Sequence, residues 1–246
     1  MQILNLVHPE KGSVKYTLNG SLKNYNSNDS VCVQCRIVDG NDLYLLLQVC
    51  SILTKLEANF FIEIYYLTGS AFKSIYKSSS YKVILDAINH YKVDFIYILN
   101  PLNRGLFNYL YGDNIGALHT SDIRYSNWND KYQLVLLTST DYGLNSDEII
   151  CEINNGNVKV KNPKEFNGKH LLVLSDYCDS GNTLNKVSNA LNECGIPKDQ
   201  INVAIIHALT FKGIKKVSKS FNQVWITNSV KDWNNIPENV YLNKVI

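Results

Sequence analysis

The residues best suited to chemistry lie together in one stretch, Leu171–Leu184, which reads LLVLSDYCDSGNTL. Four apolar residues lead into Ser175 and then into a dense polar set: Asp176, Tyr177, Cys178, Asp179, Ser180, Gly181, Asn182 and Thr183. The pattern predicts a buried strand, a tight loop and the start of a helix. The first backbone N–H groups of a helix have no partner within it and point outward, so such a loop attracts an anion, above all a phosphate. Gly181 lets the backbone approach that group closely. Ser180 and Thr183 add hydroxyl donors. Asp176 and Asp179 can accept from sugar hydroxyls, directly or through Mg²⁺, a cation that takes oxygen ligands. Asp, Ser and Asn are also ordinary turn and cap residues, and a plain turn is the competing reading.

Other candidates are sparser. The histidines are His8, His90, His119, His170 and His207, and no two stand four apart as a helical metal site would require. His207 ends a predicted strand near the polar loop and is the best placed of them; a satisfied strand-end histidine is the alternative. Asp141-Tyr142-Gly143 follows another predicted strand, and a plain turn competes there too. The six cysteines are scattered, which points to reduced thiols in a cytosolic setting. Cys32 and Cys35 have C-x-x-C spacing, but a zinc site would want a second pair. They also sit in a strand-like segment, where residues three apart face opposite ways.

The formal net charge of +2 is too small to point to nucleic acid or an anionic membrane. Sixteen tyrosines without a basic stripe read as sheet and interface residues rather than a nucleic-acid stacking surface. No apolar run reaches the roughly 18 residues of a membrane span, and the N-terminus lacks the basic and apolar regions of a secretory signal.

The elements that must position the loop alternate along the whole chain. Strands are expected at 30–37, 60–66, 95–99, 133–137, 169–174, 202–207 and 223–227, with an edge strand at 241–246. Helices are expected at 43–56 with Asp42 as N-cap, at 80–91 with Val83, Ile84, Ala87 and Ile88 on one face, at 103–111, at 183–193 stopped by Gly195, and at 213–218. Residues 149–160 read as a hairpin turning at Asn155-Gly156. Weak periodicity over 112–131 reads as a linker. Apolar strands alternating with amphipathic helices predict an α/β fold, with parallel sheets covered on both sides.

The polar loop resembles the ribose-phosphate loop of the phosphoribosyltransferase fold, in which a strand and two acidic residues precede D-[ST]-G-x-T. Asp176 matches the second acid, and Asp179, Ser180, Gly181 and Thr183 match the rest, while Ser175 and Asn182 depart from the pattern. The context is similar to the ribose-phosphate pyrophosphokinase (phosphoribosyl pyrophosphate synthetase) family. His207, Phe211 and Gly213 match its T-H-G-x-F-x-x-G segment, and Thr227, Asn228 and Ser229 its T-N-[ST] segment. Upstream, GNDLYLLLQVCSIL is similar to that family's N-D-x-L-M-E-L-L helix. The stretch 171–230 carries the specific likeness.

The resemblance implies two similar parallel-sheet domains with flanking helices: residues 1–125, and residues 126–246 with the loop. It implies transfer of pyrophosphate from ATP to ribose 5-phosphate or a related sugar phosphate such as ADP-ribose. Asp176, Asp179, Ser180, Gly181, Asn182 and Thr183 would hold the ribose phosphate. Asp176 and Asp179 would take Mg²⁺, and Asp141, Gly143 and His207 would lie on the pyrophosphate side. It further implies a homo-oligomer in the cytoplasm. Phage-encoded members are similarly compact, so a phage source, with the host cytoplasm as compartment, is also an expectation.

Several ATP-side features of that family are missing. Its arginine-rich segment reads Thr68-Gly69-Ser70-Ala71-Phe72-Lys73-Ser74 here, and Leu102 stands at a histidine position. Lys159 and Lys161 are the nearest match to its mobile Lys-x-Arg loop, and Asn19-Gly20 is all that suggests its acidic N-terminal segment. Two further readings therefore stand beside the kinase: an inactive homologue that binds ribose phosphates as a regulatory or structural subunit, and, less well supported by the N-terminal half, a base phosphoribosyltransferase.

Overall fold

Val31–Ile37 (β2) and Phe60–Leu67 (β3) alternate buried and half-buried residues, the period of a strand with one face against a core. They belong to a computed structural model that describes residues 1–7, 30–68, 80–99, 115–118, 132–138, 149–154, 156–163, 166 and 168–246. The chain divides into two units, Met1–Asp122 and Ile123–Val245.

In the first unit, Gln2–Asn5 (β1), β2, β3, Phe95–Leu99 (β4) and Ile115–Leu118 (β5) form a parallel sheet in sequence order. Two helices, Gly40–Lys55 (α1) and Ser80–Asn89 (α2), connect its middle strands. Parallel crossovers are right-handed, so strands added in one direction place their helices on one face. One core follows: Leu46, Val49, Cys50 and Leu53 of α1 and Ile84, Leu85 and Ile88 of α2 pack with Val33, Ile37, Phe60, Ile62, Ile64, Ile96 and Ile98.

The second sheet has the order β12-β11-β10-β9-β6-β7-β8. Its strands are Tyr132–Thr138 (β6), Ile149–Asn154 (β7), Asn157–Val160 (β8), His170–Cys178 (β9), Ile201–Ala208 (β10), Val224–Thr227 (β11) and Val240–Asn243 (β12). All pairings are parallel except the β7–β8 hairpin. The helices Asn182–Glu193 (α3) and Phe211–Ser218 (α4) follow β9 and β10. They share a core with Val173, Val203, Ile205 and Ile226 through Leu184, Val187, Leu191, Ile214 and Val217. Here the chain reverses direction. It winds outward from β6 to β8, then returns to lay β9 on the other side of β6. Ligands of open parallel sheets bind beyond the strand ends at such a reversal, which lies between β6 and β9.

Several expectations need correction. Residues 112–131 are not simply a linker, because Ile115–Leu118 pairs in parallel with β4. The N-cap of α1 is Asp39, which accepts from the N–H groups of Asn41 and Asp42. Asp42 is the third helical residue and returns the bond to the Asp39 N–H, so two acids form a capping box. On α2 the buried face is Ile84, Leu85 and Ile88, whereas Val83 is 69% exposed. Strand β9 runs four residues past Leu174, because its pairing with β10 continues to Cys178 and Ala208. The expected helix at 103–111 lies outside the described residues.

Candidate functional site

Asp176 sits on the exposed end of β9, two residues before the strand finishes. Asp179 and Ser180 form the exposed bend, Gly181 caps α3, and Asn182 and Thr183 are its first, exposed residues. The six residues expected to hold a ribose phosphate therefore follow one another around one strand-to-helix turn, at the sheet reversal.

The turn is shaped by helix α4. Thr210 caps α4, and its Oγ1 accepts from the Gly213 N–H at 3.0 Å. The same hydroxyl donates to the Asp179 carbonyl at 2.6 Å. Gly213 has no room for a side chain, since a Cβ there would lie 1.8 Å from that carbonyl oxygen. Gly181 is left-handed, with φ of 71°, and a Cβ on it would lie 2.9 Å from the Gly213 carbonyl oxygen and 3.0 Å from Val217. The glycine is thus needed to fit the loop onto α4, and not only to admit a phosphate. Cys178 is buried beneath the turn. Burial pushes its thiol up to about 11, partly offset by a hydrogen bond from the Gly181 backbone N–H, with Asp179 adding to the rise.

Electrostatically, the start of α3 has what an anion needs. Gly181 offers no side-chain cap, and the first turn holds no acidic residue. The Asn182 N–H makes only a long contact, 3.5 Å to Ser180 Oγ. The open N–H groups and the positive end of the helix dipole remain directed at the loop.

His207 lies on β10 in register with Tyr177 of β9, so it adjoins the loop-bearing strand end. It is buried, and its Nδ1 lies 3.0 Å from Ser229 Oγ. The Ser229 hydroxyl donates to the Ile206 carbonyl at 2.9 Å, which ties the His207 ring to the end of its own strand. Thr227 Oγ1 donates to the same carbonyl at 2.6 Å, and Asn228 Oδ1 accepts the Val245 N–H at 2.7 Å. The T-N-S segment therefore braces the strand ends and the C-terminal tail. Asp141 and Gly143 lie outside the described residues, as do the segments 69–74 and 100–104 and Asn19-Gly20.

Lys159 and Lys161 are held in the hairpin. Lys161 pairs with Glu152 at 2.7 Å, and this contact lowers the Glu152 carboxyl below its ordinary range. Cys32 and Cys35 are buried on opposite faces of β2 as free thiols. Among the described residues, no three His, Cys, Asp or Glu side chains come together as a metal site. Asp176 and Asp179 supply the oxygen donors that Mg²⁺ prefers, and two carboxylates suffice only where a phosphorylated ligand completes the shell.

Two residues at the turn escaped the sequence reading. Thr210 had a visible signal, a threonine just before an amphipathic run. Lys216 had none. Its ammonium reaches from α4 across to α3 and donates to Asn182 Oδ1, a pairing of residues 34 apart.

Comparison with known proteins agrees with this geometry. The family model described as "Phosphoribosyl transferase domain" matches residues 133–244. A ribose-phosphate pyrophosphokinase of Pyrococcus abyssi (strain GE5 / Orsay) is 34% identical over 67 residues, a match covering 27% of this chain and 23% of that protein. This match thus spans about a quarter of the relative's length. The crystal structure of phosphoribosylpyrophosphate synthetase from Mycobacterium smegmatis superposes with a TM-score of 0.66 at 13% identity, over 88% of this chain and 78% of that one. Residues 133–244 of the second unit are thus similar to the phosphoribosyl transferase domain, and the chain has the fold of phosphoribosylpyrophosphate synthetase.

Proposed function

We propose that this chain binds ribose 5-phosphate, or a related sugar phosphate, at the β9–α3 turn and transfers pyrophosphate to it from ATP. The observation that carries the binding is the uncapped, acid-free start of α3 at the sheet reversal, with Asp176 exposed on the strand end before it. The phosphate would take the N–H groups of Ser180, Asn182 and Thr183 and the hydroxyls of Ser180 and Thr183, with Gly181 shaping the loop around it. Asp176 and Asp179 would accept from the ribose hydroxyls and hold Mg²⁺ together with the ligand. Bound Mg²⁺ would supply charge neutralisation for the phosphates.

In the reaction, the 1-hydroxyl oxygen of the sugar would bond to the β-phosphorus of ATP. The bond from that phosphorus to the α,β-bridging oxygen would break, AMP would leave, and the hydroxyl proton would pass to solvent. His207, near the strand ends, and Asp141 and Gly143 would lie on the pyrophosphate side. Homo-oligomerisation would accompany this activity and is measured by light scattering.

A second reading is favoured by residues 68–74, which lack the arginines, and by the pairing of Lys161 with Glu152 within the hairpin. Phosphoryl transfer rests on positioned cations, and a single transition-state arginine is worth about 10³-fold or more. On this reading the chain is a ribose-phosphate-binding regulatory or structural subunit. The two separate in one assay of AMP release from ATP, Mg²⁺ and ribose 5-phosphate. AMP that depends on the sugar phosphate supports the transferase. Calorimetric binding of ribose 5-phosphate without AMP release supports the subunit.

A further inference from the structure

Lys216 occupies an anomalous position. It belongs to the last turn of α4, where a cation suits the helix dipole, yet its ammonium is folded onto Asn182, the first residue of α3. A positive charge beside a helix N-terminus is unfavourable by the same dipole argument. No acid in the first turn of α3 offsets it, and among the described residues Lys216 makes no ion pair. Two positive features, the open end of α3 and an ammonium, thus converge on one side of the turn. An anion placed there removes both penalties.

We propose that Lys216 supplies charge to a phosphate group bound at the start of α3, with Asn182 as its anchor. This rests on the ribose-phosphate reading above and adds a residue to it. It also gives Asn182 a use. The side-chain carbonyl at this position holds the ammonium within one side chain's reach of the loop N–H groups. The ligand class is a phosphomonoester in its dianionic form, since a single added cation acts on the second negative charge. Lys212, Lys215 and Lys219 are exposed on and just after the same helix, but none of them bonds to α3, so they contribute only screened, long-range charge.

The test is calorimetric titration of the full chain with ribose 5-phosphate and, separately, with ribose. A charged hydrogen bond of this kind makes K216M bind ribose 5-phosphate about 10-fold more weakly. K216R is expected to restore most of the loss, K219M to leave affinity unchanged, and the gap between wild type and K216M to shrink at high salt. Weak ribose binding is expected to be the same in wild type and K216M. If K216M melts earlier but binds ribose 5-phosphate like wild type, Lys216 is a strut between two helices and the proposal is overturned while the ribose-phosphate reading stands. If wild type itself binds no ribose 5-phosphate, both fall.

Discussion

Gly213 and Thr210 decide the shape of a loop that neither belongs to. A methyl group on Gly213 would sit 1.8 Å from the Asp179 carbonyl oxygen, so G213A must push the turn away from α4. Forced overpacking of this kind costs about 1–3 kcal/mol. The variant should melt earlier and bind ribose 5-phosphate more weakly, as scanning calorimetry and titration would report. Unchanged melting and affinity would mean that the turn is not held by α4. T210V removes one hydroxyl that serves two backbone partners and should cost about 1 kcal/mol. The loop residues were legible because D-S-G-N-T combines turn formers, hydroxyl donors and a glycine in one short run. The contacts that shape the loop were not. Gly213, Thr210 and Lys216 lie about thirty residues downstream, and only the parallel pairing of β9 with β10 brings them to it.

At the level of elements, strands were easier to read than helix ends. Apolar alternation placed β2, β3 and β4 within a residue or two, because burial on one face imposes a period of two. The start of α1 was misplaced by three residues, since two acids three apart can each serve as a cap and only their mutual bonds show which one does. D39A should therefore cost about 1 kcal/mol in urea unfolding, the usual worth of an N-cap. The buried face of α2 shifted from Val83 to Leu85, because the sheet below it, rather than hydropathy alone, chooses which apolar residues are covered. In the β7–β8 hairpin, Lys161 depresses the Glu152 carboxyl. Because the folded value is the lower one, this pair contributes fully above the ordinary carboxylate range. The contribution is lost as pH falls through the depressed folded value. An NMR titration should find the Glu152 carboxyl below the ordinary glutamate range and move it up toward that range in K161A. No change in K161A would remove the pair from the account.

Across the whole molecule, the alternation of strands and helices made a parallel α/β fold legible, but not strand order. Nothing in the local sequence states that β9 returns beside β6, and it is that reversal which places the turn where parallel sheets bind ligands. The thiols offer an independent check on the two cores. All six cysteines are free, and five are buried. Burial raises Cys32, Cys50 and Cys151 to about 12. A brief exposure of the native protein to a thiol-specific disulfide reagent near neutral pH should modify Cys194 alone, with C194S unreactive and guanidinium exposing all six. Fast labelling of more than one thiol would contradict this burial. The central claim, that a phosphorylated ribose sits at the β9–α3 turn, is tested most directly by following backbone amide resonances during titration with ribose 5-phosphate. The account predicts the largest shifts at Asp179–Leu184, lost in a D176A/T183A double variant. Shifts confined to other parts of the chain, or none at all, would contradict it.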